Sequence, residues 1–95
     1  MFGLIAKITC VEGGREDLIN ILLEGTSDMP GNVSYNIAED QEDKNIIWIT
    51  EVWDSQASQE NSLKLDSVQN AIGQARPLIA GMSRIATTSP IVRTA

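Results

Sequence analysis

The chain has 95 residues, 42% of them hydrophobic, which suits one small folded domain spanning residues 1–95. Its 13 acidic and 7 basic residues give a formal net charge of −6, so a nucleic-acid backbone would be repelled rather than bound. The chain has no histidine, which excludes a Ser-His-Asp triad, a zinc site and histidine-ligated haem within one chain.

The first half of the sequence predicts a strand, a helix and a second strand. Phe2 to Val11 alternate in polarity as a strand does, and Arg15 to about Asp28 carry apolar residues at helical spacing. Pro30 stops this helix, and a second strand follows from Asn32 to Ala38. The polar run over residues 39–44 lacks the glycine and the length of an EF-hand, so it predicts a solvated hairpin loop rather than an ion site.

The third strand, Asn45 to Trp53, is unusual because both of its faces are apolar. One face carries Ile46, Trp48 and Val52, and the other carries Ile47, Ile49 and Trp53. An antiparallel sheet in a small monomer normally exposes one face to water, and helices can cover only the other. The pattern therefore indicates a cover from a second copy of the chain, although a central strand in a crowded monomer would leave the same pattern.

Two helices and a last strand complete the chain. Asp54 and Ser55 offer N-cap side chains for a short helix from Gln56 to Leu63. Asp66 and Gln69 suggest a capping box for a further helix that Pro77 closes. A final strand begins at Leu78 or Ala80 and ends at Thr88. The order β-α-β-β-α-α-β predicts a ferredoxin-like α+β fold with a four-stranded antiparallel sheet.

Four segments resemble the antibiotic biosynthesis monooxygenase domain family, which includes small quinol monooxygenases and haem-degrading enzymes. They are GLIAKITCVEGGREDLINIL, MPGNVSYNIAED, NIIWITEVWDSQASQENSL and GMSRIATTSP, which together span nearly the whole chain. The most specific part is Glu51-x-Trp53-x-Ser55 before a short helix, preceded by Pro30-Gly31 and Ser34-Tyr35. The resemblance implies a dimeric α+β barrel, in which two sheets pack face to face and each subunit holds a pocket between its sheet and helices.

The resemblance also implies oxidation of phenols or quinols by O2 without a metal or flavin. The chain departs from the family where many members have a histidine after the tryptophan, since only Gln59 and Ser62 stand there. The asparagine and histidine of haem-degrading relatives align with Ala6 and Gly73, so haem degradation is not expected. Only Trp53 is carried over residue by residue.

Trp53 and Glu51 are the predicted catalytic residues. Trp53 would form part of an apolar cage around the substrate, or else be a core residue at a strand end. Glu51 lies on the same face of the strand, where an apolar pocket would raise its pKa and make it a candidate base. The alternative for Glu51 is an ion pair with Lys7 on the neighbouring first strand.

Six residues are predicted to contact substrate, and alternatives are open for several of them. Tyr35 and Asn36 lie on opposite faces of their strand, so at most one can line the pocket. Gln59 and Ser62 would lie on a helix that roofs the pocket, although a solvated helix face is the alternative for Gln59. Arg76 would bind an oxyanion or complement a helix dipole, and Met82 would line the pocket or fill the core.

The leading hypothesis is a cofactor-independent, homodimeric and cytoplasmic monooxygenase that acts on a small aromatic substrate and O2, with no metal, nucleic-acid or membrane partner. The single cysteine, Cys10, permits no intrachain disulfide and suits a reducing compartment. Two alternatives remain open from the residues. One is a non-catalytic binding or stress-response barrel, which the missing histidine favours. The other is a lactone-type isomerase, which needs a base and no oxygen.

Overall fold

The computed structural model describes residues 1–91, and residues 92–95 of the predicted domain lie outside them. Its elements are β1 (Phe2–Cys10), α1 (Arg15–Gly25), β2 (Asn32–Glu39), β3 (Ile46–Trp53), α2 (Gln56–Ser62), α3 (Asp66–Ala75), a 3₁₀ turn (Arg76–Leu78) and β4 (Ile79–Thr88). The four strands form one antiparallel sheet in the order β2-β3-β1-β4. The predicted ferredoxin-like α+β arrangement is confirmed. No helix within residues 1–91 is long and apolar enough to cross a membrane.

The helices cover one face of the sheet, which we call the inner face. Its side chains belong to alternate residues of each strand, and they meet α1 and α3 in a closed core made of Ile8, Cys10, Leu18, Ile47, Ile49 and Ala75. Cys10 is a buried free thiol, and its burial raises the pKa of the thiol. The opposite, outer face carries the other alternation, including half-buried Ile5, Ile46, Trp48 and Val52.

Helix α1 ends at Gly25, three residues before the predicted end. The hydroxyl of Thr26 donates a 2.6 Å hydrogen bond to the carbonyl of Leu22, and the Thr26 backbone N–H donates to the same oxygen at 3.0 Å. Such local bonds let a threonine terminate a helix. A Cβ atom at Gly25 would collide with the Cβ of Ala71, so the glycine allows α1 and α3 to approach closely.

The sequence predicted the N-terminal cap of α2 correctly and that of α3 incorrectly. The Ser55 Oγ accepts a 3.2 Å hydrogen bond from the Ser58 backbone N–H, which confirms the predicted cap of α2. The predicted capping box of α3 is wrong, because Leu65 is the N-cap and Asp66 already lies inside the helix. The Gln69 amide donates instead to the carbonyl of Leu63. Asp66 still suits the positive end of the helix dipole.

The polar run between β2 and β3 forms a hairpin loop that Arg15 holds from the start of α1. The Arg15 guanidinium donates to the carbonyl oxygens of Asp40 and Asp43 at 3.2 and 3.0 Å, and it pairs with the Glu39 carboxylate at 3.2 Å. The Asp40 carboxylate accepts a 2.9 Å hydrogen bond from the indole N–H of Trp48. This bond and two backbone N–H bonds lower the pKa of Asp40. The loop is therefore tied both to α1 and to the outer face.

Candidate functional site

A cavity of about 610 Å³ lies between the inner face of the sheet and the helices. Its sheet wall includes Leu4, Ala6 and Ile49, while Met29, Val68 and Ile72 contribute to the opposite side. The volume is within the range of small-molecule sites, which are mostly apolar with a few convergent polar groups. The polar groups here are therefore the ones that would orient a ligand.

Trp53 and Glu51 form a hydrogen-bonded pair in the lining of the cavity. The Trp53 side chain is almost completely buried, and its indole N–H donates a 2.9 Å hydrogen bond to Oε1 of Glu51. The alternative ion pair of Glu51 with Lys7 is wrong. Lys7 lies across from Trp48 on the outer face, where its Nζ is 5.7 Å from the centre of the Trp48 ring, whereas Glu51 lies across from Leu4. The register between β1 and β3 separates the two charges, since the two pairs point to opposite faces of the sheet.

Two titratable groups meet at this end of the cavity. Burial raises the pKa of Glu51, and the Trp53 hydrogen bond and the nearby Arg84 charge oppose that rise. Tyr35 lies directly across from Glu51 on β2, and burial together with the Glu51 charge raises the pKa of its phenol well above the ordinary value. Tyr35 therefore stays protonated as a hydrogen-bond donor. Glu51 is the carboxylate of the cavity lining and is held by the indole of Trp53, so it is the candidate proton acceptor.

The structure places Tyr35 and Asn36 on opposite faces of β2. Tyr35 lines the cavity, whereas Asn36 pairs in register with Thr50 and is exposed on the outer face. The structure therefore does not bring Asn36 to the cavity. Alternation correctly limits the site to one of the two residues, and the register with Glu51 decides which one.

Helix α2 closes the cavity with two buried polar residues. Gln59 and Ser62 both line the cavity and are both buried, while Asn61 between them is exposed. Residues three apart on a helix share a face, which explains why the two appear together. The Ser62 hydroxyl donates a 2.6 Å hydrogen bond to the carbonyl of Gln59, so its oxygen is left to accept. The solvated-face interpretation is wrong for Gln59, which is buried and lines the cavity.

Three further residues form the outer rim of the cavity. Arg76 lies in the 3₁₀ turn, while Met82 and Arg84 lie on β4, and all three line the cavity while remaining exposed. Arg84 was absent from the predicted site. The signal for it was available in the sequence, because alternation along β4 places Met82 and Arg84 on the same face. Among residues 1–91 no cluster of three or more His, Cys, Asp or Glu side chains is arranged to hold a metal ion.

Comparisons with known proteins agree with this architecture. Residues 1–74 match the family model described as antibiotic biosynthesis monooxygenase. The structure is similar to that of a candidate antibiotic biosynthesis monooxygenase from Chloroflexus aurantiacus J-10-fl, with 48% identity, a TM-score of 0.93, and coverage of 99% of this chain and 96% of that one. A search of curated proteins gives no match.

More distant structures share the fold alone. A candidate antibiotic biosynthesis monooxygenase from Nitrosomonas europaea has 10% identity and a TM-score of 0.86, with 97% of this chain and 100% of that one covered. One from Caulobacter crescentus CB15 has 14% identity and a TM-score of 0.85, with 96% and 90% covered. The fold is thus retained at very low sequence identity.

Proposed function

Since the chain belongs to the antibiotic biosynthesis monooxygenase family, we propose that it oxidises a small phenolic or quinol substrate with O2, without a metal or organic cofactor. The observation that carries this proposal is the Glu51–Trp53 pair. A carboxylate whose pKa is raised by burial is held at 2.9 Å by an indole N–H in a largely apolar cavity. Such a group can accept a proton from a phenol whose ring lies in the cavity.

The chemistry that we propose divides between the substrate and the protein. Oxidation of a phenol to a quinone by O2 removes four electrons from the ring, adds one oxygen atom to it and releases the other as water. The electrons come from the substrate, so no redox-active group of the protein is needed. The protein contributes a base, an oriented ring and a site that excludes water. Glu51 takes the phenolic proton, and Trp53 fixes the carboxylate and packs against the ring.

The remaining polar groups of the cavity fit roles in orientation. Tyr35 would donate its phenolic hydrogen to a substrate oxygen near Glu51. Gln59 and Ser62 would contact oxygen atoms from the side of α2. Met82 would pack against the ring at the rim, where a flexible thioether adapts to irregular shapes, and Arg76 would face an oxyanion there.

We also propose that two copies of the chain, each a single domain, pack outer face to outer face as a barrel. Ile5, Ile46, Trp48 and Val52 leave an apolar patch there that the chain's own helices do not cover. The cavity lies on the inner face, so this pairing would leave it accessible. The single buried cysteine agrees with a reducing, cytoplasmic location.

Oxygen uptake with a panel of reduced quinols and naphthols tests the proposed function. We expect uptake by the metal-free protein, and a loss of roughly a hundredfold or more in Glu51→Gln, because the variant lacks the proposed base. Glu60→Gln, an exposed change of the same kind on α2, is the matched control. Turnover of substrate under argon would indicate the isomerase instead. Tight binding of aromatics without any uptake would indicate the non-catalytic binding barrel.

A further inference from the structure

One buried side chain of the cavity wall has no hydrogen-bond partner within residues 1–91. Gln59 of α2 lines the cavity and is only 8% exposed. Its backbone carbonyl accepts a hydrogen bond from Ser62, but its side-chain amide makes no hydrogen bond to the described part of the chain. A buried amide without a partner lowers stability, because it has lost its bonds to water. A ligand that supplies those bonds would therefore be favoured.

The Gln59 amide is not sealed inside the protein. Within residues 1–91, every side-chain nitrogen or oxygen that is fully closed off from solvent has a hydrogen-bond partner. Both atoms of the Gln59 amide therefore reach open space, and the space that this residue lines is the cavity. Ser62 does not serve the amide as a donor, because its one hydroxyl hydrogen goes to the Gln59 backbone carbonyl. Helix α2 thus leaves both halves of the amide free.

We propose that Gln59 selects an aromatic ligand with a cyclic amide edge, in which a ring N–H stands beside a carbonyl, as in a 2-quinolone. This inference rests on the proposed function for the aromatic class of the ligand, and it adds the group that faces α2. A glutamine side chain presents an accepting oxygen beside a donating NH2 group. A cyclic amide presents a donor beside an acceptor, so two parallel hydrogen bonds form, as when glutamine pairs with the edge of adenine.

Other oxygen-bearing ring edges fit the Gln59 amide less well. A single hydroxyl does not reach both atoms of the amide with good hydrogen-bond angles, so one half stays unpaired. A hydroxyl beside a carbonyl turns its hydrogen towards that carbonyl, which uses the donor within the ligand. The N–H and carbonyl of a cyclic amide both point outwards and remain free. Because an unpaired buried group is destabilising, this difference in fit becomes a difference in affinity.

Binding of two uncharged probes in the absence of oxygen tests the inference. 2-Quinolone and 1-methyl-2-quinolone differ in the N–H donor, which the second probe lacks. We expect the wild-type protein to bind 2-quinolone roughly tenfold or more tightly than the methylated probe. Gln59→Met keeps the length of the side chain and removes both polar atoms, so this preference should disappear. A preference that persists in Gln59→Met would come from the bulk of the methyl group and would overturn the inference.

The matched control is Gln56→Met, the same change at an exposed position of α2, which should keep the preference. Urea denaturation gives a second readout. Gln59→Met should unfold at a higher urea concentration than the wild type, because it removes a buried amide without a partner. A lower midpoint would show that Gln59 serves to hold α2 in place and would overturn the inference.

The outcomes for this inference and for the proposed function are distinguishable. Equal affinity of the wild-type protein for the two quinolones, together with oxygen uptake on quinols or naphthols, would overturn the cyclic amide edge alone. A preference for 2-quinolone that depends on Gln59, in a protein without oxygen uptake, would support this recognition and remove only the proposed oxygenase function.

Discussion

Glu51 Oε1 accepts a 2.9 Å hydrogen bond from the indole N–H of Trp53, two residues further along the same strand. Residues two apart on a strand share a face, so the bond needs no contribution from another element. It satisfies the one polar atom of a buried tryptophan and fixes the carboxylate within an apolar cavity. The same contact thus serves the stability of the core and the orientation of the proposed base.

Replacing Trp53 with Phe tests this double role. The variant loses the hydrogen bond to the carboxylate, and we expect a decrease in the free energy of unfolding of about 1–3 kcal/mol. The pKa of Glu51 should rise, because the bond now lowers it. Urea denaturation measures the first effect, and the pH dependence of oxygen uptake measures the second. An unchanged pH profile in a folded variant would show that the bond does not tune Glu51.

The stability of the protein should depend on the ionisation of Glu51 with a defined sign. Burial raises the folded-state pKa of Glu51 above its ordinary value of 4.5. Its stabilising contribution is therefore full below that value and is lost as the pH rises through the folded pKa. Glu51→Gln removes this dependence, so the variant should gain stability relative to the wild type between acidic and neutral pH. Urea denaturation at acidic and at neutral pH measures the free energy of unfolding of both proteins. The same difference between the two proteins at both pH values would contradict this expectation.

Filling the cavity should weaken ligand binding without unfolding the protein. Ala6→Leu adds three carbons to the sheet wall of the cavity, where there is open space. We expect the affinity for aromatic probes to fall by roughly tenfold or more, since the added side chain occupies the volume of the ring. Isothermal titration measures the affinity.

Ala57→Leu, on the exposed side of α2, is the control for this change. It should bind the probes as the wild type does. If Ala6→Leu binds them equally well, the ligand lies elsewhere.

A charge on the outer face should separate the proposed dimer. Val52→Lys places an ammonium group within the apolar patch of the outer face, where burial against a second copy would be costly. We expect sedimentation equilibrium to show a dimer for the wild type and a monomer for the variant. Asn70→Lys, on the exposed side of α3, should remain dimeric. A monomeric wild type at micromolar concentration would remove the barrel.

The periodicity of apolar residues predicted most of the helices and strands, whereas the arrangement of the site depended on the register between strands. The doubly apolar pattern of β3 correctly placed Trp48 and Trp53 on opposite faces of the sheet. The sequence did not show that Lys7 lies across from Trp48, and this pairing rules out its ion pair with Glu51. The register between distant strands is set by packing across the whole sheet. The alternation of residues within one strand does not reveal that register.

The sequence predicted only some of the polar residues that line the cavity, because their positions also depend on packing between elements. Helical spacing brings Gln59 and Ser62 to one face, but their burial depends on how α2 lies over the sheet. Arg84 was missed because an arginine on a last strand is usually solvent-exposed, as this one also is.

The most direct test of the proposed oxygenase is a single turnover experiment with isotopically labelled O2 and a reduced naphthol or quinol, followed by mass spectrometry of the product. Our account predicts one labelled oxygen atom in the ring product of the wild-type protein and the other in water, with labelled product forming roughly a hundredfold or more slowly in Glu51→Gln. A product without label, or labelled product forming equally fast in the variant, would contradict it.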